Sequence, residues 1–243
     1  MDKPPSNFYN KFSQIKKVLS GIFFTAIFVS IFFSCANTAP DISSINAKVV
    51  YDFENDKDKP VQKLTIFLEM KSEIRRIEQI NIYHKKTGYR WIIKDPLLFE
   101  TNSKQFAGYT NCQVAGILND IPEGEYQVCY LDSQGRETFN TFLISKNEYS
   151  TKNLLKFKKD FSPEDYKLML AVYDEESKLI SYSVPEAKFE ISKENMTYNG
   201  DSIFKTYSKA SFFRLIYEGS EKIFIMPKVF KAEKKADNKE TKD

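Results

Sequence analysis

The clearest fold signal in the chain is residues 121–144, IPEGEYQVCYLDSQGRETFNTFLI. Tyr126, Val128 and Tyr130 alternate with other side chains, and the run from 136 to 144 alternates again, as half-buried strands do. Between the two runs lies the turn 132–135, in which Asp begins the reversal and Gly takes the left-handed position. The pattern predicts two antiparallel strands joined by a tight turn.

This hairpin resembles the one between strands F and G of immunoglobulin-like and fibronectin-type sandwiches. In those folds a Tyr near the start of strand F turns its hydroxyl back onto upstream backbone, an arrangement called the tyrosine corner. Gly124 and Tyr126 occupy the matching positions. The resemblance covers residues 48–145, about a hundred residues, and implies an all-β fold with an Ig-like antiparallel β-sandwich.

Upstream of the hairpin, the apolar residues also alternate. In the ten-residue run that ends at Met70, apolar side chains recur at every second position and so share one face, which is typical of a strand. Ile80 and Ile82 begin a second hairpin, whose turn contains Gly88 and which returns through Trp91. These segments supply further strands of the same sandwich.

The sequence of the second half predicts another β-rich unit over residues 161–230, after a linker at 146–160. The segment 162–165 has the features of a helix start, yet the residues after it alternate, so strands are favoured there. Further strands are predicted at 188–191, 202–208, 211–217 and 222–226. Residues 231–243 form a charged tail with little to bury, and we expect it to be disordered.

The N-terminus has the pattern of an export signal. Lysines precede an uncharged apolar run, residues 18–33, which ends at a small residue before Cys35. The segment 32–35 resembles the lipobox of bacterial lipoproteins, in the relaxed form of spirochaete proteins. The resemblance implies a signal peptide at 1–34, lipidation of Cys35 and a tether at 35–47. Two alternatives remain open: an uncleaved membrane anchor over 18–36, and cleavage with release.

Charge argues against nucleic acid as a partner. The whole chain carries +3, but the first 35 residues hold four Lys and one Asp, which accounts for all of it. The remaining chain is balanced and lacks the basic excess that displaces counterions from phosphate. The expected location is the bacterial cell envelope, with attachment to a membrane through the N-terminal lipid and with either leaflet left open.

Catalytic and metal-binding patterns are scarce. His84 is the single histidine, lies at a strand end, and is interpreted as a structural imidazole. Asp52, Glu54, Asp56 and Asp58 alternate, but the Gly and Glu that a calcium loop needs are missing, so a solvated turn is favoured. We therefore predict no enzyme activity, no cofactor and no metal site.

Two features leave alternatives open. Cys112 and Cys129 would both be exported, so either a disulfide or two free thiols fits the sequence. Both follow Trp91, so the Cys-Trp-Cys core of antibody domains is lacking. Late aromatic residues fit either a buried core or an exposed contact surface; they are Tyr207, Phe212, Phe213, Tyr217, Phe224 and Phe230.

Together these patterns predict a non-catalytic, lipid-anchored envelope protein. Its β-sandwich would serve as a binding or adhesion module for a protein or for a glycan or other surface polymer. The alternatives are a structural or assembly subunit of an envelope complex and, least favoured, a hydrolase that uses carboxylates alone.

Overall fold

The computed structural model describes residues 40–71, 74–115, 120–145, 148–192 and 196–232. Within these ranges the all-β fold class is confirmed, because strands dominate and only two short α-helices occur. The strands are β1 Ile42–Asp52, β2 Val61–Met70, β3 Ile77–His84, β4 Arg90–Ile93, β5 Leu97–Thr101, β6 Lys104–Cys112, β7 Gly124–Asp132, β8 Glu137–Ile144, β9 Lys167–Tyr173, β10 Leu179–Ser183, β11 Phe212–Glu218, β12 Lys222–Ile225 and β13 Val229–Phe230. The helices are α1 Leu154–Asp160 and α2 Gly200–Thr206, and 3-10 turns lie at Ile74–Arg76, Pro163–Asp165 and Ala187–Phe189.

The first eight strands form two layers. One layer has the order β1-β2-β6-β5 and the other the order β4-β3-β7-β8. The alternation in the sequence explains the packing, since Leu64, Ile66 and Leu68 of β2 and Ile80 and Ile82 of β3 are all fully buried in one core. Each strand therefore presents one apolar face to the interior.

The first layer continues past β1 into the second half of the chain. β12 pairs in parallel with β1, from Val49 opposite Lys222 to Asp52 opposite Ile225. From β12 the sheet runs on through β11, β9 and β10, and β13 pairs with β11. The strands of 161–230 are thus joined to a sheet of the sandwich, and one compact unit begins at Pro40. The segment expected to be a linker, 146–160, contains α1.

An aromatic cluster fills the core at this junction. The ring of Phe224 on β12 stacks on Tyr51 of β1 at a centroid distance of 5.0 Å and lies 4.7 Å from Phe157 of α1. The Asn153 side chain caps α1 by accepting from the backbone N–H of Lys156. Through Phe157, helix α1 packs against Phe53 and Phe224 on the inner face of the sheet.

Three segments differ from the sequence prediction. Residues 202–208 lie largely in α2 instead of a strand, because the side chain of Asn199 accepts from the backbone N–H of Ser202 and caps a helix. Residues 188–191 overlap a 3-10 turn that ends at Glu190 with a positive φ of 50°. The strands predicted at 211–217 and 222–226 are confirmed as β11 and β12.

The third difference concerns the start of the chain. Residues 42–47, assigned to the tether, belong to β1, because Ile42 pairs with Met70 and is buried. The hydroxyl of Thr138 donates to the carbonyl of Pro40 at 2.6 Å, so the first described residue already contacts strand β8.

Candidate functional site

His84 is buried and is hydrogen-bonded to neighbouring protein groups. It is 1% exposed, and its Nδ1 lies 2.7 Å from the Thr87 hydroxyl and accepts from the Thr87 backbone N–H at 3.2 Å. That acceptor role places the imidazole hydrogen on Nε2, which donates to the carbonyl of Glu123 at 3.0 Å. Both ring nitrogens are therefore occupied by protein groups, and the imidazole does not face solvent.

Gly124 and Tyr126 lie beside this histidine. Gly124 has a φ of 128°, and a Cβ on it would come within 2.9 Å of His84 Nε2. The Tyr126 ring lies 4.6 Å from the His84 ring in a tilted arrangement and stacks on Phe142 at 5.1 Å. Its hydroxyl donates to the carbonyl of Pro122 at 2.6 Å, and burial raises the pKa of this phenol. The group binds strand β7 to its preceding loop and offers no reactive atom to a substrate.

The two described cysteines are free thiols. Cys112 belongs to the main core, whereas Cys129 lies on the opposite face of β7 from Tyr126, opposite Asn81 and Phe139 in the flanking strands. Because the two side chains point into different environments, no disulfide joins them. Burial raises the pKa of the Cys112 thiol to about 12, so it is a poor nucleophile.

The alternating acids do not gather around one point. Asp52 is paired with Arg214 at 2.5 Å and with Lys63 at 3.3 Å. In the loop that follows, the Asn55 side chain accepts from two backbone N–H groups, as in a solvated turn. In the part of the chain that the structure describes, no group of three or more His, Cys, Asp or Glu side chains has the arrangement of a metal site.

The N-terminal features lie outside the described residues, Cys35 among them. Among the residues that are described, no helix combines the length and the apolar character needed to span a bilayer.

The late aromatic residues are mainly core. Phe213, Tyr217 and Phe224 are fully buried, and Phe212 is nearly so. Phe230 alone of the group is largely exposed, at 64%. These buried rings therefore stabilise the second half of the sheet and do not form an exposed contact surface.

Strand β5, at one outer edge of the long sheet, is exposed along its whole length. All five of its residues are exposed, and Leu97, Leu98 and Phe99 retain 50%, 43% and 42% of their accessible surface. β5 pairs with β6 on one side and ends the sheet on the other. An apolar strand in this position presents unpaired backbone groups together with side chains that favour contact.

The outer face beside β5 carries an apolar patch, which we call the β5 patch: Phe67, Leu97, Phe99 and Phe106, arranged around Gly108. The Phe99 ring stacks on Phe106 at 5.0 Å and meets Phe67 edge to face at 5.2 Å. Gly108 lies opposite both Leu97 and Phe67 in the sheet. A Cβ at this glycine would collide with the Phe67 ring and the carbonyl oxygen of Ile66, so the glycine is what lets that ring lie flat on the sheet.

A polar group borders the β5 patch on one side. Lys104 forms a 3.0 Å ion pair with Glu69, and the Ser44 hydroxyl donates to the same carboxylate at 3.1 Å. The hydrogen bond from Lys104, helped by that from Ser44, lowers the pKa of Glu69 below its usual range. An apolar centre with a charged border is typical of protein contact surfaces.

A separate depression of about 280 Å³ lies near α1. Its floor includes Leu154, Leu215 and Met226, and its border carries Lys158 and Lys228. The lining includes no histidine, serine or cysteine, so neither a Ser-His nor a Cys-His pair is present in it.

The sequence patterns indicated an aromatic contact surface only among the late aromatic residues and not at the β5 patch. One signal does exist: Phe67 is out of phase with the alternating core residues of β2 and therefore had to face outward. No protein-family model matches the chain, and no curated protein is significantly similar to it.

Proposed function

We propose that this chain is a lipid-anchored, non-catalytic protein of a bacterial cell envelope that binds an extended segment of a partner protein at the edge of strand β5. The observation that carries the proposal is the exposure of Leu97, Leu98 and Phe99 on the last strand of the long sheet.

The chemistry of β5 favours strand addition. Edge strands that avoid contact are protected by lysine, proline or bulges, whereas β5 reads Leu-Leu-Phe-Glu-Thr. Leu97 and Phe99 face the outer side of the sheet, and Leu98 faces the inner side. A partner strand would gain backbone hydrogen bonds along the edge and apolar contacts on both faces. The matching segment is an extended peptide whose apolar side chains flank its backbone in the same way.

The strand order supports a binding module of the immunoglobulin type. When β1 to β8 are lettered A, B, C, C′, D, E, F and G along the chain, the spatial order of one layer is A-B-E-D and that of the other is C′-C-F-G. Such sandwiches have many unrelated functions, so the order supports a scaffold for recognition without indicating the partner.

The anchor part of the proposal rests on the sequence. The lysines before residue 18, the uncharged run 18–33 and the lipobox-like residues 32–35 support export and acylation of Cys35. Two or more acyl chains would hold the protein stably on a bilayer.

Site-specific photo-crosslinking in intact cells tests the binding surface. A photoreactive residue replaces Phe99, and the matched control replaces Leu143, which is exposed on the edge strand of the other layer. We expect one discrete protein adduct from position 99 and none from position 143. Equal adducts at both positions, a glycan adduct, a product of twice the protein's own mass, or no adduct at position 99 would contradict the proposal.

Intact mass tests the anchor separately. Protein extracted from membranes with detergent should begin at Cys35 and carry added acyl mass, and Cys35→Ala should lack it. An unmodified full-length mass would contradict lipid anchoring.

A further inference from the structure

Residues 40–42, which the sequence assigned to the tether, contact the rest of the fold. The Pro40 carbonyl accepts from Thr138, the Asp41 carbonyl accepts from the backbone N–H of Lys71 at 3.0 Å, and the side chains of these last two residues form a 2.9 Å ion pair. Ile42 then enters the sheet opposite Met70. The chain is therefore held by strands β2 and β8 from Pro40 onward.

The number of residues between Cys35 and Pro40 limits the distance between them. From Cys35 to Pro40 the chain advances five residues, and an extended chain covers at most about 18 Å over that length. If Cys35 is acylated, as the proposed function requires, its sulfur lies at the membrane surface. The point where β1 begins then cannot be far from the lipid headgroups.

Register identifies which end of the sandwich holds that point. Met70 at the end of β2 lies opposite Gln105 at the start of β6, so the turn 102–103 is at the same end as Ile42. The backbone N–H of Ser133 donates to the carbonyl of Arg76 at 2.8 Å, which places the turn 133–135 there as well. We call this set of turns the proximal end.

The turn 85–88 marks the other end. The backbone N–H of Lys85 donates to the carbonyl of Glu125, at the beginning of β7. β7 has nine residues and a strand rises about 3.3 Å per residue, so this distal end lies nearly 30 Å from the proximal turns.

We infer that the proximal end rests against the headgroups of the bilayer and that the end with the turn 85–88 points away from it. The inference rests on the proposed acylation of Cys35, because only a short lipid tether fixes the orientation. Phe99 lies three residues before the proximal turn 102–103, so the partner segment at β5 would approach close to the membrane surface.

Fluorescence quenching by lipid tests the orientation. Single cysteines replace Gln134 in the proximal turn or Lys86 in the distal turn, both exposed, and carry a small fluorophore. The labelled, detergent-purified proteins are reconstituted into phosphatidylcholine vesicles that contain a nitroxide on a fraction of the headgroups. The parent protein, whose Cys112 and Cys129 are buried, measures background labelling.

We expect strong quenching at position 134 and quenching near the lipid-free background at position 86. Insertion of twenty Gly and Ser residues after Asn37 should keep the acyl mass but reduce quenching at position 134. Intact mass of each sample separates the two hypotheses. An acylated Cys35 with equal quenching at both positions, or with quenching that the insertion leaves unchanged, overturns the orientation alone. An unmodified Cys35 overturns the anchor and the orientation with it.

Discussion

The hydroxyl of Tyr126 donates a 2.6 Å hydrogen bond to the carbonyl of Pro122, which joins strand β7 to the loop before it. Tyr126→Phe keeps the buried ring and removes only this bond. We expect the free energy of unfolding to fall by about 1 kcal/mol, the usual net value of a hydrogen bond. Urea unfolding followed by far-UV circular dichroism measures the change.

Tyr83→Phe is the matched control for that variant. Tyr83 lies on the outer face of neighbouring strand β3 and is 39% exposed. Because this side chain is exposed, the change should stay within about 0.5 kcal/mol. Equal effects of the two variants would contradict a stabilising role for the Tyr126 bond.

The hairpin around Tyr126 could be predicted because its determinants are local. Alternation sets the inward face of both strands, and Gly135 has the positive φ, 75°, that the turn needs. The same local rules failed over 202–208, where they predict a strand. There Asn199 caps a seven-residue helix, and the adjacent residues Ile203 and Phe204 are both buried, which suits a short helix packed on a sheet.

Long-range pairing could not be predicted. β1 begins among small polar residues that suggested a tether, and its partner β12 lies some 170 positions later in the chain. Parallel pairing over such a separation leaves no local pattern. The β5 patch depends on the same kind of information, since Phe67, Phe99 and Phe106 meet only when β2, β6 and β5 are aligned.

Gly108 is a sensitive position beneath the β5 patch. In Gly108→Ala the new methyl group would collide with the Phe67 ring and with the Ile66 backbone, which cannot move freely within a central strand. We expect a loss of about 1–3 kcal/mol in the free energy of unfolding, as for overpacked sites. Chemical denaturation measures it, and photo-crosslinking from position 99 should weaken in the folded fraction.

Gly200→Ala provides the comparison. Gly200 begins helix α2, and a Cβ there would meet no atom closer than 4.0 Å. Alanine restricts the unfolded chain, so stability should be unchanged or rise by up to about 1 kcal/mol. If both glycine variants were equally stable, the close approach of Phe67 to Gly108 would be refuted.

The thiols of Cys112 and Cys129 should remain reduced in protein purified without reductant. Native protein should resist iodoacetamide, because both thiols are buried and burial raises their pKa. In denaturant, without reductant, mass spectrometry should show alkylation at both, and Cys112→Ala should lose one of the two additions. Alkylation that requires prior reduction would demonstrate a disulfide and contradict the structure.

Asp132 should make the free energy of unfolding depend on pH. Burial opposes its ionisation, but hydrogen bonds from the Arg136 side chain and from the backbone N–H groups of Arg136 and Gln134 outweigh it and hold the pKa of Asp132 below its usual value. A lowered folded pKa stabilises the fold above the unfolded value, about 4, and that stability is lost as the pH falls through the folded value.

Asp132→Asn should therefore lower the free energy of unfolding near pH 7 by about 1–3 kcal/mol, as for loss of a hydrogen bond to a charged group. The difference from the parent should shrink below about pH 4, where the unfolded carboxyl becomes protonated. Urea unfolding at several pH values measures both effects. Asp41→Asn removes an exposed pair with Lys71 and should have little effect. A difference that is constant with pH would argue against the ionised Asp132.

The two halves of the chain share one sheet and one core. Tyr51 and Phe53 of the first half are fully buried against Phe224 and Phe157 of the second half. A fragment of residues 40–145 would expose both rings, and full burial of a large apolar side chain contributes about 1.5–3 kcal/mol. It would also leave β1 as an unpaired edge.

We therefore expect the fragment 40–145 to unfold at much lower denaturant than the chain 40–232, or to aggregate. The longer chain starts at the same residue as the fragment and keeps every described strand and both helices, so it serves as the control. Trp91, in the sandwich, reports on the first half by fluorescence, and far-UV circular dichroism reports on the whole chain. In 40–232 the two signals should change in one coincident transition, because loss of β12 removes the support of β1. A fragment with the same midpoint as 40–232, or two separate transitions in the longer chain, would mean that the sandwich folds as an independent domain.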